Sequence, residues 1–272
     1  MAVPLYSVSL AKAGETEYNR GCHFLTKYGI QRDERYLFML DISHLTKTYG
    51  EKKAVDDLTL HIAPGEIYGF IGHNGAGKTT TIKAVAGIIS FDSGEITVCG
   101  VNVKTDPLAV KRQIAYIPDN PDLYEFMTGI QYLNFIADVF GVPAQTRQER
   151  IRKYGDIFEL TGDLGQPLTA YSHGMKQKLA IISAWLHDPK LIIMDEPFVG
   201  LDPKASFQLK EMMREVCDRG GAIFFSTHVL EVVERLCDKV AIIKNGQLIR
   251  SGPTEEVKGD TSLEDVFLEL EG

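Results

Sequence analysis

The pattern of apolar and polar positions changes at Met39. Residues 39–45 and 58–62 alternate apolar and polar side chains with the period of a strand, which predicts two half-buried antiparallel strands. A further strand, 94–100, is bounded by glycines. Residues 1–38 show neither a strand nor a helix period. We therefore expect an N-terminal antiparallel β subdomain, with Met39 as the native start and residues 1–38 as a flexible or spurious extension.

Further along the chain, apolar runs alternate with amphipathic stretches. Strands are predicted at 67–71, 114–118, 191–194, 222–225 and 240–243, and helices at 80–86, 107–113, 203–218, 229–236 and 263–270. Such alternation favours a mostly parallel sheet with its ligand site at the carboxyl ends of the strands. Residues of about 122–187 have helical texture instead, with apolar stripes at 130–140 and 147–160. The predicted fold is α/β, with an all-helical subdomain inserted.

A glycine-rich loop lies between the predicted strand 67–71 and a helix. Glycines allow successive backbone N–H groups to turn toward an anion, and the helix that follows directs the positive end of its dipole to the same place. This is the pattern of a phosphate-binding loop, in which Lys78 reaches the β- and γ-phosphates and the Thr79 hydroxyl binds Mg²⁺. The nucleotide-binding candidates are Gly72, His73, Asn74, Gly75, Ala76, Gly77, Lys78, Thr79 and Thr80. The alternative, a glycine-rich turn with an exposed lysine, does not explain the strand and helix on either side.

Two acidic residues follow the apolar run 191–194. Asp195 and Glu196 are placed at the carboxyl end of a predicted buried strand, beside the phosphate loop in a fold of this kind. Asp195 is expected to hold Mg²⁺ through its water shell, and Glu196 to accept a proton from the attacking water or to orient it. The alternative is a strand end with two solvated acids.

Composition narrows the classes of function. A formal net charge of −8 makes DNA and RNA unlikely as main ligands. Cys22, Cys99, Cys217 and Cys237 lack the paired spacing of a zinc site or a disulfide framework, which favours a reducing compartment. The apolar runs are much shorter than the ~18 residues that a membrane-spanning helix requires. An apolar content of 44% suits a sizeable core.

Several motifs in a fixed order give the chain a family resemblance. They are GHNGAGKTT at 72–80, YSHGM at 171–175, LIIMDEP at 191–197, GLDP at 200–203 and STH at 226–228. From Met39 to Gly272 the sequence resembles the ATP-binding cassette (ABC) ATPases, the nucleotide-binding subunits of ABC transporters, and within them the single-cassette subunits of bacterial exporter-type transporters.

The resemblance implies an ATPase in which two cassettes hold two ATP molecules head to tail. Ser172 and the Gly174 amide would meet the γ-phosphate across the dimer interface, which Asp202 would line. His228 would contact the γ-phosphate near the attacking water, and Tyr49 would stack on adenine. Taken without the resemblance, a strand-end histidine and a turn tyrosine are more often packing residues.

Four positions depart from the family pattern. Asp119 stands where the family usually has Gln. Its carboxylate can offer an oxygen to Mg²⁺, but an ionised carboxylate cannot donate a hydrogen bond as Gln can. The role of Asp119 as a metal ligand is therefore doubtful. Tyr171, His173 and Met175 replace the usual Leu, Gly and Gln. These changes put the geometry of the contact across the dimer in question.

The resemblance also implies a polytopic membrane permease as partner. The protein is then expected to be cytoplasmic and peripheral on the inner face of the cell membrane, with Tyr124 and Phe126 in the region that receives a cytoplasmic helix of the permease. An alternative function is a soluble cassette ATPase that acts on a ribosome, on nucleic acid or on a regulatory partner. The net negative charge and the lack of a second cassette, a coiled coil or a basic insertion weigh against it. An inactive binding module is disfavoured because Lys78, Asp195, Glu196 and His228 are all present.

Overall fold

The computed structural model describes residues 38–271. The prediction about residues 1–38 therefore lies, except for Phe38, outside the described residues. Within them, four strands form an antiparallel sheet in the order β2-β1-β4-β5. Its strands are β1 (Leu40–Tyr49), β2 (Lys52–Ile62), β4 (Ser93–Val98) and β5 (Val101–Asn102).

The second sheet has six strands in the order β10-β9-β3-β8-β7-β6. Its strands are β3 (Ile67–Ile71), β6 (Ile114–Ile117), β7 (Leu191–Asp195), β8 (Ala222–Thr227), β9 (Lys239–Lys244) and β10 (Gln247–Pro253). All neighbours pair in parallel except β10, which is antiparallel to β9. Every residue of β3, β7 and β8 is buried, as expected for parallel strands that are covered on both faces.

Helices of the described residues cover the parallel sheet and form the insertion. They are α1 (Lys78–Val85), α2 (Pro107–Lys111), α3 (Gly129–Val139), α4 (Ala144–Ile157), α5 (His173–Trp185), α6 (Pro203–Asp218), α7 (Leu230–Leu236), α8 (Thr254–Lys258) and α9 (Leu263–Glu271). The α/β fold class, with its antiparallel sheet, its mostly parallel sheet and its helical insertion α3–α5, is confirmed. None of the helices in the described part of the chain is long and apolar enough to cross a membrane.

Two apolar cores position the site. One core lies between the antiparallel sheet, α1 and one face of the parallel sheet, and includes Ile42, Ile82 and Phe224. The other core joins the opposite face of the parallel sheet to α3–α6, and includes Leu133, Leu179 and Phe225. Because Phe224 and Phe225 point to opposite faces of β8, this strand belongs to both cores.

Some element bounds differ from the sequence prediction. Helix α1 begins at Lys78, two residues before the predicted start, and α4 begins at Ala144 and ends at Ile157. The strands β5 and β10 and the helix α8 were not predicted. β10 has no buried residue, so its apolar pattern is too weak to indicate a strand. It forms because β9 offers it an edge for antiparallel pairing.

Candidate functional site

A cleft of about 340 Å³ opens at the carboxyl ends of β3 and β7. It is lined by Tyr49, Lys52, Ala54, His73, Asn74, Gly75, Gly77, Lys78, Thr79, Thr80, Asp119, Asp195 and Glu196. The structure thus gathers most of the predicted nucleotide-binding residues in one place. Gly72 and Ala76 are buried behind the loop. The position at the strand ends is where α/β sheets bind ligands.

The loop keeps its shape because two glycines approach other backbone segments closely. A Cβ on Gly72 would lie 2.4 Å from the carbonyl oxygen of Ile243, and one on Gly77 would lie 2.3 Å from that of Ala54. Gly77 also has φ +113, which an L side chain rarely adopts. Gly77 is the N-cap of α1. Because glycine has no side chain to cap the helix, the first N–H groups of α1 remain available to an anion.

Lys78 is held inside this loop. Its Nζ donates to the carbonyl oxygens of Gly72 at 2.6 Å and His73 at 3.3 Å, and the residue is buried. Burial lowers the pKa of Lys78, and the carboxylates of Glu196 and Asp195 oppose that shift. The loop therefore holds the ammonium group in the cleft that the two acids also line, where it can bind phosphate oxygens.

The two acids occupy different environments. Asp195 is the last residue of β7 and is buried; its Oδ1 accepts a short hydrogen bond from the Ser226 hydroxyl. The backbone N–H of Glu196 donates to the carbonyl oxygen of Ser226 at 3.1 Å. Oε1 of Glu196 lies 3.0 Å from Nδ1 of His228. The structure therefore brings His228 to the Glu196 carboxylate.

The arrangement fits a hard cation bound with a nucleotide. Oδ2 of Asp195 and Oε2 of Glu196 are buried and have no hydrogen-bond partner within residues 38–271. Over the same residues there is no cluster of three or more His, Cys, Asp or Glu side chains that would hold a metal alone. Mg²⁺ typically takes one or two carboxylates and completes its shell with water and substrate phosphates. Asp195 and the exposed Thr79 suit this kind of coordination.

Other predicted residues lie elsewhere or at the rim. The Tyr49 side chain is 52% exposed at the cleft, with Nζ of Lys47 at 5.1 Å from its ring centroid. Asp119 is exposed and accepts from the backbone N–H of Asn120 at 2.9 Å. Ser172, Gly174 and Asp202 are not among the residues that line the cleft.

Ser172 and Asp202 each cap a helix. The hydroxyl of Ser172 accepts from the backbone N–H of Met175 at the start of α5, and Asp202 caps α6 through the N–H of Ala205. Asp202 also accepts from Nζ of Lys178 at 2.7 Å. This charged hydrogen bond lowers the pKa of Asp202.

The unusual residues of the motif 171–175 have packing roles in this fold. Tyr171 is buried, and its hydroxyl donates to the carbonyl oxygen of Asp163 at 2.8 Å. His173 covers Gly200, since a Cβ there would lie 2.6 Å from Cδ2 of the imidazole. The backbone of Gly174 also lies close to Gly200: a Cβ on Gly174 would be only 2.7 Å from the Gly200 carbonyl oxygen.

Sequence reasoning missed Ser226 and Lys178 as site residues. The sequence shows Ser226 only as part of the STH motif, whereas in the structure it bonds both Asp195 and Glu196. Its place on a buried strand next to β7 was the available signal. Lys178 gave no signal, because a helical lysine is ordinarily a solvated residue.

Comparisons with known proteins identify the family. A family model for ABC transporters matches residues 55–199. The chain is 39% identical over 220 residues to the uncharacterized ABC transporter ATP-binding protein YxlF of Bacillus subtilis, which covers 81% of this chain and 72% of that protein. A solved structure of an ATP-binding subunit of an ABC transporter shares 35% identity and a TM-score of 0.83, over 86% of this chain and 100% of the other.

A dimeric ATP-binding cassette solved in a post-hydrolysis state with ADP and phosphate has the same fold. Its TM-score is 0.73 at 21% identity, and it covers 79% of this chain and 99% of its own. The family model and the 39% identical relative show that the chain belongs to the ABC transporter family. The predicted activity is confirmed: the protein is an ATP-binding and ATP-hydrolysing subunit of an ABC transporter. The alternative of an ATPase that acts on a ribosomal, nucleic-acid or regulatory partner is not supported.

Proposed function

We propose that two copies of this protein, or this protein and a second cassette, bind two Mg-ATP molecules head to tail and thereby drive a separate membrane-spanning permease. The observation that carries the proposal is the division of the predicted site within one chain. The phosphate loop, Asp195 and Glu196 share a cleft, whereas the exposed Ser172 at the start of α5 lies outside its lining. A second chain is needed to bring such a helix start to the same nucleotide.

In this proposal each residue of the cleft has one task. Tyr49 offers its exposed ring to the adenine, and the loop amides with Lys78 bind the β- and γ-phosphates. Thr79 and Asp195 hold Mg²⁺, which supplies charge neutralisation on the phosphates when it is bound. Asp119 lines the cleft as well, but the proposal assigns it no ligand role, because an ionised carboxylate adds a charge and cannot donate the hydrogen bond that the family's usual Gln can donate.

Glu196 is the proposed general base. A water molecule that attacks the γ-phosphate must lose a proton, and the Oε2 atom of Glu196 is a buried acceptor without a partner among the described residues. His228 orients this carboxylate through Oε1 and reaches the γ-phosphate side with its half-exposed ring. Ser172 and the Gly174 amide bind the same γ-phosphate from the second subunit, and Asp202 lines the interface.

In this proposal the protein lies on the inner face of the cell membrane, beside the permease. An exposed aromatic cluster supports this proposal. The ring centroid of Tyr124 lies 5.8 Å from that of Phe126 and 5.5 Å from that of Phe135. Phe126 is 82% exposed. Aromatic side chains are enriched at protein interfaces, so this cluster suits a helix of the permease.

The test is Glu196→Gln. Gln retains the shape of the side chain but cannot take the proton, so ATP turnover should fall by roughly 10²- to 10⁴-fold. Because ATP then persists, an ATP-bound dimer should accumulate. Phosphate release and light scattering after size exclusion measure the two effects.

Glu211→Gln is the matched control, since Glu211 is an exposed residue of α6 outside the cleft. It removes the same charge and should leave turnover and oligomeric state as in the wild type. Near-normal phosphate release by Glu196→Gln would contradict the role assigned to Glu196. A monomer with bound ATP in that variant would contradict the shared site.

A further inference from the structure

Tyr116 on β6 has a buried hydroxyl group with no hydrogen-bond partner within residues 38–271. Oδ2 of Asp195 is in the same condition. Native proteins pair nearly all buried polar atoms, because an unpaired one retains its full desolvation cost. The packing of the core does not explain why these two atoms are buried without a partner. We therefore expect each to gain a hydrogen-bond partner when the site holds its nucleotide and metal.

The register of the sheet directs these two groups toward one another. β6 pairs in parallel with β7, and Tyr116 lies opposite Ile193. Paired residues point to the same face, and so does the residue two further along the strand, which is Asp195. The two Cα atoms are therefore separated by about two residues along the strand, ~6.6 Å, and by one strand spacing, ~4.8 Å. A tyrosine side chain is long enough to bring its hydroxyl close to the carboxylate.

The charges around the phenol agree with this geometry. Burial contributes most to raising the pKa of Tyr116, and the negative charges of Asp195 and Asp119 raise it further. The phenol therefore keeps its proton at neutral pH and remains a donor. On Asp195 the other oxygen, Oδ1, is already engaged by the Ser226 hydroxyl. Oδ2 is the acceptor left for Tyr116 or for a water molecule between them.

We infer that Tyr116 is a positioning residue of the metal site: when the site is loaded, its hydroxyl donates to Oδ2 of Asp195, directly or through one bridging water molecule, and so orients the carboxylate that holds Mg²⁺ through its water shell. Together with Ser226 it fixes the plane of the Asp195 carboxylate, one residue on each oxygen. This inference rests on the metal role proposed for Asp195.

The test is Tyr116→Phe, which removes only the hydroxyl. The measurement is Mn²⁺ affinity in the presence of a nonhydrolysable ATP analogue, from the electron paramagnetic resonance signal of free Mn²⁺. Mn²⁺ prefers the same oxygen ligands as Mg²⁺. Loss of an outer-shell partner should weaken Mn²⁺ binding by about 10- to 100-fold. Affinity for the analogue in EDTA should stay as in the wild type, because the phosphate loop is untouched.

Tyr68→Phe is the control. Tyr68 is a buried tyrosine of β3 whose hydroxyl bonds Ser251, away from both acids, so its loss should leave Mn²⁺ affinity unchanged. Without metal, Tyr116→Phe should unfold at the same temperature as the wild type or a higher one, since an unpaired buried hydroxyl has been removed. A failure to fold would assign the hydroxyl to the structure and overturn the inference.

Two further outcomes separate this inference from the proposed function. Equal Mn²⁺ affinities in wild type and Tyr116→Phe would refute the inference alone. If the wild type with the analogue does not bind Mn²⁺, the proposed metal site and the inference both fail.

Discussion

Glu196 has a backbone conformation that few residues other than glycine adopt, with φ 48. Residues held in the left-handed region cluster at functional sites, where the surrounding structure compensates for a cost of about 1–3 kcal/mol. Here the compensation is visible: the Glu196 N–H bonds the Ser226 carbonyl oxygen, and the carboxylate meets His228. The turn separates the direction of Glu196 from that of Asp195, so adjacent acids can act on different atoms.

Gly77 shows how a single missing Cβ preserves the phosphate loop. We expect Gly77→Ala to lower the free energy of unfolding of the nucleotide-free protein, since the new methyl group would meet the Ala54 carbonyl oxygen at 2.3 Å. Gly141→Ala is the control, because Gly141 also has positive φ but nothing within 4 Å of its Cβ position. Both variants carry conformational strain, which is about 1–2 kcal/mol in the left-handed region at φ +66 and larger at φ +113.

Only Gly77→Ala adds the overlap, which should cost roughly 1–3 kcal/mol more. Urea unfolding of both variants measures the difference. Equal losses would mean that the approach of Ala54 to the loop does not constrain it.

At the scale of elements, the first two turns of α5 hold the loop that follows Glu196. Nε2 of Gln177 donates to the Pro197 carbonyl oxygen at 3.3 Å, and Lys178 bonds Asp202 at 2.7 Å. His173 and Gly174 both pack closely against Gly200. The helix start proposed to meet the second nucleotide is therefore tied, within one chain, to the loop beside Glu196.

Lys178→Met should loosen this connection. Both partners are partly exposed, so folding stability should change by only about 0–1 kcal/mol. ATP-driven dimerisation should weaken by roughly 0.5–2 kcal/mol, because Asp202 and the loop lose their anchor. Sedimentation of the variants, in a Glu196→Gln background with ATP, measures it.

Lys176→Met is the matched control. Lys176 lies on the same helix, and its ion pair at 2.8 Å is with Glu125 and not with a residue of the loop after Glu196. Dimerisation of this variant should match the parent. Equal weakening by the two substitutions would show that α5 acts only through its charge.

His187 connects the helical insertion to the parallel sheet. Its ring stacks on Phe140 with centroids 3.7 Å apart, and Nε2 donates to the Ile114 carbonyl oxygen at 2.9 Å. Burial lowers the pKa of His187 below its ordinary value of 6.5, more than the other contacts restore. The imidazole is therefore neutral in the folded protein at neutral pH.

This shift predicts a loss of stability in acid. As pH falls below 6.5, His187 becomes protonated in the unfolded chain, whereas in the folded protein it stays neutral until the pH reaches its lower pKa. The free energy of unfolding therefore falls as pH falls between these two pKa values. The slope from this one group is at most about 1.4 kcal/mol per pH unit. In His187→Gln this component should vanish. Parallel pH profiles of urea unfolding for the two proteins would exclude the effect.

At the scale of the whole molecule, the nucleotide cleft and the aromatic cluster are separate surfaces. The cleft is lined by residues of the antiparallel sheet, the phosphate loop and the strand ends, and none of Tyr124, Phe126 and Phe135 is among them. A ligand at one surface can therefore act on the other only through the helical insertion and the loops that join it to β6 and β7. ATP shifts such an assembly only by its extra affinity for the closed state.

Phe126→Ser should separate the two surfaces experimentally. The ATPase activity of the isolated protein should remain, because the side chain is exposed and outside the cleft. Co-purification with membranes should fall, since a large exposed aromatic is removed from the proposed permease surface. Leu108→Ser is the control, as Leu108 is 68% exposed on α2 and does not belong to the aromatic cluster. Unchanged membrane recovery of Phe126→Ser would contradict the assignment of this surface.

Local pattern determined much of this protein. The α6 helix has the predicted bounds, 203–218, because Asp202 and Pro203 start it and its apolar stripe has a helical period. The buried runs of β7 and β8 and the glycine loop before α1 are equally local signals. Chemistry that depends on adjacent residues, such as Asp195 next to Glu196, can be read from the same patterns.

Tertiary structure alone decided which distant residues meet. Three contacts join segments whose spacing in sequence does not indicate that they are close in space. They are the hydrogen bond from Ser226 to Asp195, the ion pair of Lys178 with Asp202 and the close approach of Gly77 to Ala54. β10 likewise exists only because β9 offers it an edge. The physical reason is that the hydrophobic period of a segment reports its own burial, whereas hydrogen-bond partners across the sheet depend on strand order and register.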